Sequence, residues 1–98
     1  MYFILTIGYK DNLIVHQRCI GYYRHIETAK QRVLDNSCDM FEDGYYNYAI
    51  VAKLEQGIYP ELGGQEVIQC FCYDKNQRYV IPCAIPDGLD VNELYFIG

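Results

Sequence analysis

Residues 2–9 read YFILTIGY, and they indicate the fold class more clearly than any other part of the chain. The odd-numbered side chains of this stretch are all apolar, and Tyr2 and Ile4 add apolar groups on the even-numbered side. Alternation with a period of two residues is typical of a β-strand, and a strand that is apolar on both faces belongs inside a sheet. We therefore predict a central strand at residues 2–9.

Two pairs of neighbouring β-prone stretches predict two hairpins. A short polar break at residues 10–12 separates the first strand from β-branched and aromatic residues at 13–22. A four-residue polar turn likewise joins residues 67–73 to residues 78–83. Pro82 lies in the outer of these two strands, and a proline has no N–H to donate to a neighbouring strand. We therefore place that strand at an edge of the sheet.

Between the hairpins, the spacing of apolar residues changes to that of a helix. Apolar side chains recur about one helical turn apart at Ile26, Ala29, Val33 and Leu34. This pattern predicts one amphipathic helix that runs to about Cys38.

A third strand is predicted at residues 46–55, where alternation with a period of two residues resumes. In such a strand Tyr46 and Tyr48 share one face and Tyr45 lies on the other. Residues 56–65 follow and contain three glycines and a proline, so we expect an irregular connection there, which is a candidate mobile flap.

The predicted order of elements is ββαβββ, with a further short strand at residues 94–97. One sheet with one helix is an α+β two-layer domain, here a mainly antiparallel sheet of five or six strands within a single domain at residues 1–98. One helix covers only part of such a sheet. Curling of the sheet, the connection at 56–65 or a second copy of the chain would close the other face, and we predict a homo-oligomer.

Charge and hydropathy narrow the range of partners. The chain has 13 acidic residues against 8 lysines and arginines, a net charge of -5, which opposes sequence-independent binding to duplex nucleic acid. Met1 is not followed by a charged leader, and no apolar run is long enough to span a bilayer. We therefore expect a cytoplasmic protein without a membrane partner.

The reactive side chains form no catalytic or metal-binding motif. Five cysteines, an odd count without an export signal, predict reduced thiols packed as small apolar groups. Their spacing lacks the paired ligands of a zinc site. His16 and Cys19 lie three residues apart on a predicted strand and hence on opposite faces. We expect a non-enzymatic protein with no cofactor and no metal.

A candidate ligand site precedes the helix, at Tyr22, Tyr23, Arg24 and His25. Free N–H groups at a helix N-terminus attract anions, and an arginine, a histidine and two tyrosine rings beside them would hold a phosphate or a nucleotide. In the alternative, Tyr22 fills the core, Tyr23 lies on the surface, and Arg24 and His25 form a solvated helix entry. The spacing lacks the glycine pattern of a phosphate loop.

A candidate protein-binding surface follows the helix. Its residues are acids and tyrosines, namely Asp35, Asp39, Glu42, Asp43, Tyr45 and Tyr46. Carboxylates attract a basic partner, and tyrosine gives a large rigid contact with a polar tip. In the alternative, the acids form a solvated loop and the tyrosines fill the core.

Three internal segments and the tail carry a resemblance to known proteins, at residues 27–30, 36–51 and 55–60 and at the final Phe96-Ile97-Gly98. They resemble a group of small proteins encoded by Gram-positive bacteria and by their phages and prophages. The resemblance carries over no activity and no site residues. It implies a small accessory protein of a mobile element in the cytoplasm of a bacterial host, a setting in which proteins often counter host defence.

Two main hypotheses about function result, beside a third in which a contact between distant segments forms a cysteine–histidine pair for thiol catalysis. In the first, the protein is a non-enzymatic binding protein that counters host defence by sequestering a nucleotide-like anionic signal at residues 22–25. In the second, it is an acidic, anti-CRISPR-like inhibitor that binds a host defence protein through the acids and tyrosines of residues 35–46.

Overall fold

The computed structural model describes residues 1–54, 65–90 and 94. Among these residues the chain forms five strands and one α-helix, in the order β1 (Tyr2–Lys10), β2 (Leu13–Tyr23), α1 (Ile26–Leu34), β3 (Tyr48–Leu54), β4 (Gln65–Asp74) and β5 (Tyr79–Cys83). Two short 3-10 turns, Ser37–Asp39 and Glu42–Gly44, lie between α1 and β3.

The five strands form one antiparallel sheet in the order β2-β1-β3-β4-β5. The predicted α+β class and the ββαβββ order are therefore confirmed. β1 has a partner on each side, as its two apolar faces predict, and β5, which carries Pro82, lies at an edge. The connection predicted at 56–65 and the strand predicted at 94–97 fall largely outside the described residues, and both stay predictions.

A two-residue turn closes the first hairpin. Asp11 and Asn12 both have positive φ, 54° and 62°, which is the conformation of a type I′ turn. Asp and Asn tolerate this region better than other non-glycine residues, because their short side chains form local hydrogen bonds. The polar break of the sequence is thus the turn that sets the pairing of β1 with β2.

The helix ends earlier than predicted, at Leu34 rather than near Cys38. Asn36 adopts a left-handed conformation with φ of 48°, which takes the chain out of the helix. Its side chain then accepts a hydrogen bond from the Phe41 N–H at 3.1 Å and donates one to Asp39 at 3.2 Å. These bonds stabilise the turns that replace the last predicted helical residues.

The prediction that Tyr46 and Tyr48 share a face is wrong. β3 begins at Tyr48, so Tyr46 lies in the preceding loop, where its N–H donates to the Phe41 carbonyl at 3.0 Å. Tyr46 contacts side chains on the helix side of the sheet, whereas Tyr48 packs against the core of the opposite side. Alternation does not apply to a residue that is outside the strand.

The sheet has a separate core on each face. On the helix side, α1 contributes two buried residues to a cluster of Ile4, Ala29, Val33, Met40, Phe41, Ala49, Val51, Phe71 and Val80. On the opposite side the buried residues are Leu5, Ile7, Ile50, Ala52, Cys70 and Leu94.

The chain itself helps to cover the face that the helix leaves open. Leu94 is part of the second core, and Leu89 packs against that core. Both residues come after β5 and contribute cover to this face. They are a source of cover other than the three that the sequence suggested. Self-association stays a prediction.

Asn47 joins three strands at one end of the sheet. Its side chain accepts from the Tyr9 N–H at 2.8 Å and donates to the Tyr9 carbonyl at 2.8 Å. Its own N–H donates to the Ile7 carbonyl, and its carbonyl accepts from the Tyr73 N–H, both at 3.0 Å. The chain therefore enters β3 with its position fixed against β1 and β4.

We expect Asn47→Ala to lower the free energy of unfolding by about 1 to 3 kcal/mol, because it leaves both partly buried polar groups of Tyr9 without their partner. Asn76→Ala is the matched control: Asn76 is exposed in the β4–β5 turn and should change stability by less than about 0.5 kcal/mol. Urea unfolding followed by circular dichroism measures both values. Equal stability of the two variants would contradict this role of Asn47.

Candidate functional site

An aromatic cluster forms where the end of the loop before β3 meets β2. In the register of β1 with β2, His16 lies opposite Gly8 and Arg18 lies opposite Thr6. These side chains extend from the helix side of the sheet and contact Glu42, Tyr45 and Tyr46. We call residues 35–46 the acidic loop. The five side chains in contact form what we call the cluster, namely His16, Arg18, Glu42, Tyr45 and Tyr46.

Gly8 makes the cluster possible. A Cβ atom at position 8 would overlap the His16 imidazole, so the ring lies directly over the glycine backbone. A register shift next to Gly8 leaves Val15 as an extra residue in β2, which is a β-bulge that turns the strand. The bulge and the missing side chain together direct His16 toward the loop.

The His16 ring is the centre of the cluster. It stacks on Tyr45 with 3.9 Å between ring centroids and 14° between planes, and it meets Tyr46 edge to face at 5.0 Å. Its Nε2–H donates a hydrogen bond to the Tyr45 carbonyl. Tyr45 and Tyr46 meet edge to face at 5.1 Å. Three rings in mutual contact fix the end of the loop against the strand.

Arg18 ties the acidic loop to the same strand. Its guanidinium lies 5.4 Å from the centroid of the Tyr46 ring, and Nη2 is 3.2 Å from Oε2 of Glu42. The side chains of Arg18 and Glu42 are 52% and 43% exposed, so the ion pair contributes at most about 1 kcal/mol to stability. The pair joins the acidic loop to β2 at the surface.

The acidic loop has a fixed and unusual backbone. Five non-glycine residues in it have positive φ, between 47° and 55°, namely Asn36, Cys38, Asp39, Glu42 and Asp43. Asp39 accepts hydrogen bonds from the Asn36 side chain and the Asp43 N–H. The carboxylates of Asp39, Glu42 and Asp43 are exposed on this backbone.

The structure brings together only part of the predicted protein-binding surface. Asp35 lies apart from the other acids, at the C-cap of α1. Its carboxylate accepts a hydrogen bond there from the Gln31 side chain at 2.9 Å. Tyr45 is 58% exposed, whereas Tyr46 is only 6% exposed. Tyr45 therefore presents a face to solvent, and Tyr46 supports it from within.

The four residues of the predicted ligand site face in different directions. Tyr22 is 59% exposed and contacts Phe3 at 5.4 Å between centroids, whereas Tyr23 packs against the core under the helix. Arg24 and His25 are exposed at the start of α1. The two tyrosine rings thus lie on opposite faces of the sheet and do not form one stacking surface.

Sequence reasoning missed His16 and Arg18 as members of the site. A glycine inside a strand often marks a close approach by another group, and Gly8 carried that signal. The sequence does not say which residue lies over the glycine, because this depends on the register of the hairpin.

No protein-family model, curated protein or solved structure matches the chain. The resemblance to phage and prophage proteins therefore stays a prediction. Within residues 1–54, 65–90 and 94, no helix is long and apolar enough to cross a membrane. Nor does this part of the chain contain a group of three or more His, Cys, Asp or Glu residues that could hold a metal ion.

Gly8→Ala should separate His16 from Tyr45, because the new methyl group occupies the space of the imidazole. We expect unfolding free energy to fall by about 1 to 3 kcal/mol. The ring protons of His16, shifted upfield by the Tyr45 ring, should move downfield in the NMR spectrum.

Gly21→Ala in β2 is the control, since nothing lies within 4 Å of a Cβ atom at that position. It should leave the His16 signals unchanged. If Gly8→Ala also left them in place, the stacked arrangement would be refuted.

Proposed function

We propose that this protein is a non-enzymatic binding protein that engages a basic surface of another protein through the acidic loop. The contact residues we assign are Asp39, Glu42, Asp43 and Tyr45. One observation carries the proposal: the half-exposed Tyr45 ring stacks on His16 at the end of a loop that carries three exposed acids.

Pre-organisation makes this loop suitable for binding. A side chain that is already fixed in the free protein loses little conformational entropy when it meets a partner. Tyr45 stacks on His16, and the Glu42 carboxylate is paired with Arg18. Tyrosine is also one of the residue types, with tryptophan and arginine, that are enriched among the residues contributing most to interface energy.

The charge of the loop supports a basic partner. Three carboxylates, one of them paired with Arg18, on a short segment of a protein with net charge -5 favour basic surfaces over acidic ones. Such complementarity raises the association rate at low salt and selects among partners. A positively charged groove or patch on a protein is therefore the target that we propose.

The resemblance to phage and prophage proteins suggests the biological setting. In the cytoplasm of a bacterial host, proteins that cut or bind nucleic acid present basic surfaces, because they must contact phosphates. We propose that the acidic loop blocks such a surface on a defence protein. The defence-protein target rests on the proposed binding role of the acidic loop, and it is rejected if the loop binds no protein.

The test compares two variants that carry the same charge change. The loop variant is Asp39→Asn, Glu42→Gln and Asp43→Asn, and the control variant is Asp11→Asn, Glu27→Gln and Asp87→Asn at exposed acids elsewhere. The unmodified protein and both variants are immobilised, and proteins that they retain from a bacterial host lysate are identified. The affinity of each retained protein for the three immobilised proteins is then measured in purified form.

A true partner should bind the loop variant about tenfold more weakly at low salt, and the difference should shrink as salt screens the charges. The control variant should bind within about twofold of the unmodified protein, since its acids are remote from the contact. Tyr45→Ala should weaken binding at every salt concentration. Equal binding of the loop and control variants would reject the proposal.

A second candidate function is the capture of a small anion at the start of α1. The observation in its favour is that His25, the N-cap residue, makes no side-chain cap hydrogen bond to the first amides of the helix. Exposed Arg24 stands beside them. Glu27 in the first turn carries the opposite charge and weakens the attraction for an anion.

We expect Arg24→Ala to reduce retention of a nucleotide-sized adduct at least about tenfold, because a charge-assisted hydrogen bond is lost. Native mass spectrometry with added cyclic dinucleotides and cyclic mononucleotides measures the retained adduct. Arg32→Ala, in the last turn of the same helix, has the same charge change and should retain the adduct. Absence of any adduct on the unmodified protein would eliminate this function.

A further inference from the structure

Three thiols lie together on the face of the sheet that is opposite the helix. Cys70 and Cys72 are two residues apart in β4, so they share a face, and Cys83 in β5 is the direct partner of Cys70. The Cys83 thiol donates a weak hydrogen bond to the sulfur of Cys70, and the two Sγ atoms are 3.6 Å apart.

The surroundings keep the paired thiols protonated. Burial raises the pKa of the Cys70 thiol, which is only 2% exposed, and Cys72 adds to the effect. Burial also raises the pKa of the Cys83 thiol strongly, and the nearby Cys70 and Cys72 raise it further. The pKa of the Tyr48 phenol, across from Cys72, rises mainly through burial and partly through the same thiols.

The backbone already has the geometry of a cross-strand disulfide. Directly opposed residues in antiparallel strands have Cα atoms about 4.5 to 5.5 Å apart, and disulfides need about 4.4 to 6.8 Å. The two sulfurs, 3.6 Å apart, would have to approach to about 2 Å, and rotation of the two side chains changes this distance. Cys72, in contrast, faces Ile81 across the strands and has no cysteine directly opposite.

We propose that Cys70 and Cys83 form a reversible modification site, at which a low-molecular-weight disulfide of the glutathione type converts the two thiols into a cross-strand disulfide. The bond covalently joins the edge strand β5 to β4. Cys72 remains a free thiol beside it.

The exchange has two steps. Cys83, the more accessible of the pair, loses its proton and attacks one sulfur of the small disulfide; that S–S bond breaks, and the departing thiolate takes up a proton. Cys70 then loses its proton and attacks the Cys83 sulfur, displacing the second small thiolate, which is also protonated. Two cysteine thiols are oxidised, and one small disulfide is reduced to two small thiols.

The expected consequence is a more stable hairpin at the edge of the sheet. A disulfide restricts the unfolded chain, and Cys70 and Cys83 are already direct partners in the native pairing of β4 with β5. Because both pKa values are raised, thiolate is scarce at neutral pH and the exchange is slow.

The test incubates the reduced full chain with oxidised glutathione at mildly alkaline pH and then alkylates the remaining thiols. The oxidised protein should carry two fewer alkyl groups than the reduced one and no glutathione. Peptide mapping should find a single cross-linked pair, Cys70 with Cys83. The melting temperature should rise by several degrees and return to its starting value after dithiothreitol.

Two cysteine variants serve as controls. Cys72→Ser and Cys38→Ser should each form the same disulfide, since neither residue belongs to the pair. Cys83→Ser should form none and should show no rise in melting temperature.

Mapping of the unmodified protein decides the question even if a variant does not fold. All five thiols still free, glutathione retained on Cys83, or a disulfide that involves Cys72 would each overturn the proposal.

Discussion

The constraint on which this structure depends is that β1 and β3 are apolar on both faces. Leu5 and Ile50 are fully buried on one side, and Ile4 and Val51 are fully buried on the other. Each face must be removed from water, because exposure of such residues costs about 25 cal/mol for each Å² of apolar surface. The helix covers one face, and the segment after β5 contributes to the cover of the other.

The acidic loop takes its form from the need to connect these layers. The chain leaves α1 on one side of the sheet and must enter β3 beside β1. Asn36 ends the helix, Asn47 fixes the entry to β3, and between them His16 supports the loop from β2. The loop is therefore hydrogen-bonded or packed at both ends, and Arg18 contacts Glu42 between them.

The two proposed sites lie on different faces of the sheet and consist of different kinds of side chain. The acidic loop and Tyr45 belong to the helix side, where an exposed aromatic ring and carboxylates suit a protein partner. The thiols of Cys70 and Cys83 belong to the opposite side, where they are partly shielded from water and pack in the second core. Oxidation of the thiols would change the edge of the sheet without direct contact with the acidic loop.

Local residue patterns are enough to predict the class of fold, since period-two alternation predicts strands, short polar breaks predict hairpins, and Pro82 predicts an edge strand. These signals need no knowledge of which strands pair. The folded chain is needed to show that Asn36 ends the helix, that Tyr46 and Tyr48 face apart, and that His16 lies over Gly8 and Cys70 opposite Cys83. Each of these depends on register, bulges and local left-handed turns, and a shift of one residue would reverse every face assignment in a strand.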